Sequence, residues 1–324
     1  MKLVFLGDLQ FGRDNIKSCK IKYIRDEIKN KIKYADAYFF NLETVFLDDK
    51  SDLKSIKLKG KPIHIYTKQG KHNMDYFNNI VDSNMKYLNN MIPKNDIFVS
   101  LLNNHTLDYG IEGYNNTIEI LNRNNMKCTY KKSYYIDDNF IYLNATDHWT
   151  EMYKNLIKYP HITKLYEENF LFINTYEMEI YTYKLIKYLN KIKGNRTFIF
   201  SIHYNTNFMS SDNYTNYKKK TYLSDKYELF FKKICDLGVD IIFGHGYHHQ
   251  VGYEKYKDKL IIYGLGDFTG DFKYYEDYES DKNIILIFNT ENTEIEEHHL
   301  DGDFKPYNLF NTKPKCKVSF LKKE

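Results

Sequence analysis

Short apolar runs that end in a polar residue alternate along this chain with stretches of helical periodicity. Residues 2–6 are mostly apolar and are closed by Gly7 and Asp8, which indicates a buried strand. Isoleucines at 21, 24, 28 and 32 then recur at helical spacing, and residues 34–43 form a second strand-like run that ends at Glu43. This strand, helix, strand order predicts an α/β fold with co-directional central strands.

Strand-like and helix-like segments continue to alternate as far as residue 299. Residues 48–75 and 205–221 lack periodicity and are predicted to be long loops that cover the functional site described next. Helices are predicted at 111–121, 176–192 and 223–237. Strands are predicted at 96–105, 139–147, 196–203, 238–245, 259–267, 283–289 and 293–299.

Several polar residues share one position, immediately after a strand-like run. In an α/β fold with co-directional strands these residues converge on one sheet edge, where such folds place their active sites. Asp and Asn also end strands as ordinary turn residues, and that alternative stays open for each residue alone. The residues are Asp8, Glu43, Asn104, His105, His203, His245 and Asp267.

Three of the chain's 11 histidines, at 245, 248 and 249, lie within five positions. They indicate either a metal site or a polar surface turn. Imidazole, carboxylate and amide groups together suit Mn, Fe or Zn, so one or two such divalent ions are the expected cofactor. The four cysteines form no C-x-x-C pair, which argues against a thiolate zinc site and favours a reduced compartment.

Composition narrows the class of protein. With 324 residues and 42% apolar content, the chain is long and apolar enough for a sizeable core. Its net charge of +4 is too small for a nucleic-acid binder. Neither a signal peptide nor a membrane span is visible, so a cytoplasmic location is expected. We predict a single domain over residues 1–304, followed by a basic tail over 305–324 that holds six Lys and one Glu.

Five segments carry a family resemblance when they are taken in order. They are "GDLQFGR" at 7–13, "NLET" at 41–44, "NNHTLDYGIEGYNNTIEIL" at 103–121, "SIHYN" at 201–205 and "GHGYHHQVGYEKYKDKLIIYGLGDF" at 244–268. This pattern resembles the capsule-synthesis CapA family, which includes PgsA-type proteins of poly-γ-glutamate production. That family is placed in the calcineurin-like metallophosphoesterase superfamily.

The resemblance implies a four-layer α/β/β/α sandwich and a division of labour among the polar residues. Asp8 and His248 would hold a first metal ion, and Asn104, His203 and His245 would hold a second. Glu43 would bridge the two ions. His105 would contact the substrate or protonate the leaving group, and Asp108 would orient His105 or fix its loop. His249 stands where the family usually has an aliphatic residue and is left out of the set.

The chain also departs from the family pattern. Gln10 stands where many metallophosphoesterases have a histidine, which predicts a weak first metal site. The usual His-Trp-Gly-x-Glu-Tyr reads His-Tyr-Asn-Thr-Asn-Phe at 203–208, and Asp267 replaces a usual Asn.

Three functions are compatible with these features. The first is a metal-dependent, phosphoesterase-like hydrolase that acts on a phosphate ester or related anionic substrate. The second is a non-hydrolytic factor in making or exporting an anionic polymer such as poly-γ-glutamate. The third is a catalytically silent anion-binding module. The expected partner is therefore an anionic small molecule or polymer, with no nucleic acid and no membrane span.

Overall fold

The computed structural model describes the following parts of the chain: 1–9, 26–46, 89, 92, 96–106, 110–130, 132–147, 171, 173, 176–204, 225–247, 250–269, 282–301 and 309–310. Within them two mixed β-sheets face each other. Four helices cover the outer faces of the sheets.

The first sheet contains the N-terminal strands. They are β1 (Lys2–Leu9), β2 (Ala37–Leu42), β3 (Asp96–Ser100), β4 (Met126–Cys128), β11 (Asp267–Thr269), β12 (Lys282–Asn289), β13 (Ile295–Asp301) and β14 (Leu309–Phe310). Their order is β14-β13-β12-β1-β2-β3-β4, and β11 pairs with the end of β1. Strands β1 to β4 run parallel, which is the arrangement expected from the strand and helix alternation.

The second sheet is formed by the middle of the chain. It contains β5 (Tyr134–Ile136), β6 (Phe140–Thr146), β7 (Thr197–His203), β8 (Ile241–His245), β9 (Gln250–Tyr256) and β10 (Lys259–Leu265). The order is β5-β6-β7-β8-β10-β9, with β6, β7, β8 and β10 parallel. The carboxyl ends of these four strands therefore lie at one edge of the sheet.

Successive side chains along each strand point to opposite faces of the sheet, and both faces are buried, which produces the layers. In β1, Leu3 and Phe5 belong to the cluster between the two sheets, whereas Val4 and Leu6 pack on the other face. Helices α1 (Asp26–Ile32) and α2 (Gly110–Arg123) supply apolar residues to that outer cluster, and α3 (Tyr176–Lys191) and α4 (Asp225–Asp236) do the same for the second sheet. This is the predicted α/β/β/α sandwich.

The strand predicted for residues 96–105 is wrong in its second half. Strand β3 ends at Ser100, and residues 101–106 form a compact turn. The Thr106 hydroxyl holds the turn because it accepts the N–H of Asn103 at 3.0 Å and shares its one proton between the carbonyls of Leu101 and Asn103. Leu101 and Leu102 continue the apolar pattern and are buried, but they are buried in the turn.

The boundary between the predicted domain and its tail stays a prediction. Of residues 305–324, the structure describes only 309–310, which form β14 beside β13. The predicted long loops at 48–75 and 205–221 lie outside the described residues. None of the helices in the described part of the chain is long and apolar enough to span a membrane.

Candidate metal centre

The ends of parallel strands bring the candidate ligands together. His203 is the last residue of β7 and pairs in register with His245, the last residue of β8. In the first sheet, Asp8 pairs in register with Asn41 on one side and with Asp267 on the other. Residues that are far apart in sequence therefore lie side by side at neighbouring strand ends.

Asp8, His203 and His245 form a compact buried triad. Each offers one ligand atom, and these atoms all lie within 4.8 Å of one another. The Nδ1 atoms of His203 and His245 are 3.0 Å apart, and His245 Nδ1 is 3.9 Å from Asp8 Oδ1. All three side chains are at most 2% exposed.

Glu43 joins this triad from the end of β2. Its Oε1 lies 3.4 Å from Nδ1 of His203, and its backbone N–H donates to the carbonyl of Leu9 at 2.9 Å. The glutamate is 1% exposed. Four of the six predicted ligands, Asp8, Glu43, His203 and His245, thus lie in one cluster, although their ligand roles stay predictions.

Two glycines allow the backbone to approach this cluster closely. A Cβ atom on Gly7 would lie 1.7 Å from the carbonyl oxygen of Gly266, so the chain before Asp8 has room only for glycine. Gly246 has φ +104°, a conformation that L side chains rarely adopt. Its N–H donates to Oδ2 of Asp8 at 3.0 Å and so fixes the second oxygen of that carboxylate.

Sequence reasoning missed two asparagines that hold the cluster together. Nδ2 of Asn41 lies 2.8 Å from Oδ1 of Asp8, 3.0 Å from Oε1 of Glu43 and 3.2 Å from Nδ1 of His203. Nδ2 of Asn103 donates to Oδ1 of Asn41 at 3.0 Å. Asn41 stands two positions before Glu43, and period-two alternation in a strand places such residues on the same face, which is the signal that could have found it.

Asp147 is a third residue that the sequence reasoning left out, although it directly follows β6. Its backbone N–H donates to the carbonyl of His203 at 3.1 Å, and its Oδ2 accepts the hydroxyl of Tyr227. Burial, followed by the charge of Asp147, raises the pKa of Tyr227. Tyr227 therefore stays protonated and donates to this carboxylate beside the cluster.

Two further predicted residues, Asn104 and His105, lie in the turn after β3. Asn104 is half-buried, and His105 is buried with its backbone N–H donating to Oδ1 of Asn103 at 2.9 Å. His248, Asp108 and Gln10 lie outside the described residues, so the predictions for them are untested.

Comparison with known sequences identifies the family. The sequence profile described as "Bacterial capsule synthesis protein PGA_cap" matches residues 2–130 and 143–271. These segments contain Asp8, Glu43, His203 and His245. The chain belongs to this family.

Comparison with individual proteins and solved structures gives more limited likenesses. Two proteins from strains CDC 1551 / Oshkosh and ATCC 25618 / H37Rv of Mycobacterium tuberculosis are named "Probable polyglutamine synthesis accessory protein". Each is 37% identical over 58 residues, which is 18% of this chain and 15% of the relative. The alignment with one solved crystal structure covers 92% of this chain and 98% of the other chain, at 10% identity and a TM-score of 0.45.

The cluster of Asp8, Glu43, His203 and His245 offers imidazole and carboxylate groups that could hold a divalent metal ion. The separations of 3.0 and 3.9 Å between these nitrogen and oxygen atoms are short enough for the side chains to contact a single ion. Burial lowers the pKa of His245 well below its usual value, so its imidazole is neutral at physiological pH. Buried carboxylates such as Asp8 and Glu43 are stabilised by a bound cation.

Proposed function

We propose that the protein is a metal-dependent, phosphoesterase-like hydrolase that serves capsule or poly-γ-glutamate synthesis and acts on a phosphate ester or related anionic substrate. The observation that carries this proposal is the buried triad of Asp8, His203 and His245, whose ligand atoms lie within 4.8 Å of one another. Membership of the PGA_cap family supports the biological role.

Each described residue of the cluster has a defined part in this proposal. Asp8, His203 and His245 hold a divalent ion, and Glu43 adds a carboxylate beside His203. A bound ion of this kind lowers the pKa of a water molecule and stabilises negative charge on a phosphoryl oxygen. Gly246 and Asn41 keep the Asp8 carboxylate oriented through its two oxygens.

His105 is proposed to supply the proton to the leaving group. It lies in the turn after β3, and its backbone N–H donates to Oδ1 of Asn103. A general acid must lie near the leaving group and must not itself bind the metal. The proposal therefore gives His105 the catalytic role and leaves metal retention to the triad.

The test is elemental analysis of the purified protein, followed by a screen of phosphate monoesters and diesters with Mn, Fe, Zn and Mg. Stoichiometric metal, lost in His203→Ala and retained in the control His298→Ala, is the expected result. His298 is a suitable control because it is also a buried histidine, but it lies on β13 outside the triad. A protein that binds none of these ions would refute the hydrolase proposal.

A second candidate is a non-hydrolytic factor in synthesis or export of an anionic polymer. It is favoured by the names of the two mycobacterial relatives, which are called accessory proteins. In that case the metal-free protein would bind poly-γ-glutamate, and His203→Ala would bind it equally well. The hydrolase proposal instead requires turnover that disappears when the metal is chelated.

A further inference from the structure

The pair of side-chain amides from Asn41 and Asn103 connects the carboxylates of the candidate metal centre to the backbone of His105. Both residues are buried, with exposures of 0% and 2%. We propose that this pair is a positioning device that sets the orientation of Asp8 and Glu43 for metal binding, an inference that rests on the metal site proposed above.

The orientation of Asn103 is fixed by two backbone groups. Its Nδ2 lies 2.7 Å from the carbonyl oxygen of Leu42, which can only accept a hydrogen bond. Its Oδ1 lies 2.9 Å from the backbone N–H of His105, which can only donate. Rotation of this amide by 180° would place donor against donor and acceptor against acceptor.

The orientation of Asn41 follows from that of Asn103. Because Asn103 presents Nδ2, Asn41 must present its oxygen, at 3.0 Å. The Nδ2 of Asn41 therefore faces the cluster, where it donates to Oδ1 of Asp8 and to Oε1 of Glu43. Asn41 is a positioning residue, because its only oxygen is turned away from the candidate ligands.

This arrangement prepares the two carboxylates before a cation binds. Two buried negative charges that approach one another repel, and a shared N–H donor offsets part of this repulsion. It also fixes one oxygen of each carboxylate by direct hydrogen bonding. If the amide of Asn41 turned over, its oxygen would face both carboxylates and would push them out of position.

The experiment is a titration of the full-length, EDTA-treated protein with Mn²⁺ by isothermal calorimetry. Asn41→Ala and Asn103→Ala should each weaken binding about 10- to 100-fold, the range typical for residues that orient metal ligands. The Mn²⁺ affinity of the double variant should be no lower than that of the single variant with the lower affinity, since both residues act through the hydrogen bond that joins them. If either variant fails to fold, Asn41→Leu or Asn103→Leu, which keeps a similar volume, replaces it.

Asn144→Ala is the matched control. Asn144 is also fully buried and its Nδ2 donates to Thr129 at 2.7 Å, but it lies outside the cluster. This variant should lower thermal stability and leave the Mn²⁺ affinity unchanged. A loss of affinity in Asn144→Ala equal to that in Asn103→Ala would mean that general destabilisation explains the effect, and would overturn the proposal.

Hydrogen exchange shows which contact each variant breaks, whereas the Mn²⁺ affinity reports the positioning role. The amide of His105 should exchange faster in Asn103→Ala, which removes its acceptor, but should stay protected in Asn41→Ala. Wild-type protein that binds no Mn²⁺ would remove the metal proposal and this inference together. Wild-type protein that binds Mn²⁺, with an unchanged affinity in Asn103→Ala or with additive losses in the double variant, would overturn the positioning pair alone.

Discussion

The Nδ1 atoms of His203 and His245 lie 3.0 Å apart at the ends of two neighbouring parallel strands. Two lone pairs at this distance repel, so either one ring donates a proton to the other or a cation lies between the rings. On the opposite side of His245, Nε2 lies 2.9 Å from the hydroxyl of Ser201. A hydroxyl both donates and accepts, so Ser201 satisfies either tautomer of His245.

Ser201→Ala is expected to weaken metal binding about 10- to 100-fold. When both Nδ1 atoms bind an ion, Nε2–H of His245 needs an acceptor, and Ser201→Ala removes the hydroxyl that lies 2.9 Å from this nitrogen. Calorimetric titration with Mn²⁺ measures the effect. Ser100→Ala is the control because Ser100 is equally buried on β3 in the other sheet, and an equal loss of affinity there would contradict the role of Ser201.

Gly7→Ala is expected to destabilise the fold by about 3 kcal/mol or more, because the added methyl group would meet a backbone oxygen that cannot move freely. Its Cβ would lie 1.7 Å from the carbonyl oxygen of Gly266. Urea denaturation measures the change. Gly194→Ala is the control: φ at Gly194 is +56°, but the nearest heavy atom is 3.8 Å away, so strain alone should cost about 1 kcal/mol. Equal losses in the two variants would contradict the steric argument.

The apolar pattern predicted the parallel strands and the residues at their ends, and the family resemblance predicted the four layers of the fold. Apolar runs predicted the parallel strands β1, β2, β7 and β8, and the polar residues closing them, among them Asp8 and His203, meet at the triad. This worked because strand direction is set by the helical crossovers, which the periodicity reveals.

The pairing of Asn41 with Asn103 could not be predicted from the sequence, because it depends on a contact between distant segments. Asn41 is part of an apolar run, and its role is apparent only when Asn103 approaches from the turn after β3. That turn was itself predicted as strand, because hydropathy does not distinguish a leucine buried in a strand from Leu101 or Leu102 buried in a turn. Strand β9 was also missed, since Glu254 and Lys255 interrupt its apolar run.

The stability of the metal-free protein is expected to fall as the pH decreases below about 6.5, in part because of His298. Burial, followed by the charge of Lys31, lowers the pKa of His298, while Glu296 at 3.5 Å from Nε2 acts in the opposite direction. Because the folded state binds the proton less readily than the unfolded state, this contribution is complete above the unfolded pKa and is lost on acidification.

His298→Leu should reduce this acid sensitivity, as measured by urea denaturation in EDTA at pH 7.5 and pH 5.5. His245 also has a lowered pKa and contributes to the pH dependence of both proteins, so the difference between them isolates His298. An identical fall in the free energy of unfolding for wild type and variant would show that His298 does not titrate as the burial argument requires.

The last prediction separates the proposed metal ligands from the proposed catalyst. His203→Ala and His245→Ala remove members of the triad and should lose the metal, together with the stability that metal binding adds to the folded state. His105→Ala should keep the metal and the rise in melting temperature that metal binding adds, because alanine retains the backbone N–H that donates to Asn103. A general acid contributes about 100- to 10,000-fold to rate, so turnover of any substrate found in the phosphoester screen should fall by that factor. Metal content by elemental analysis and melting in the presence and absence of EDTA distinguish the two classes of variant. If His105→Ala releases metal as readily as His203→Ala, His105 is itself a ligand and the proton must come from another group.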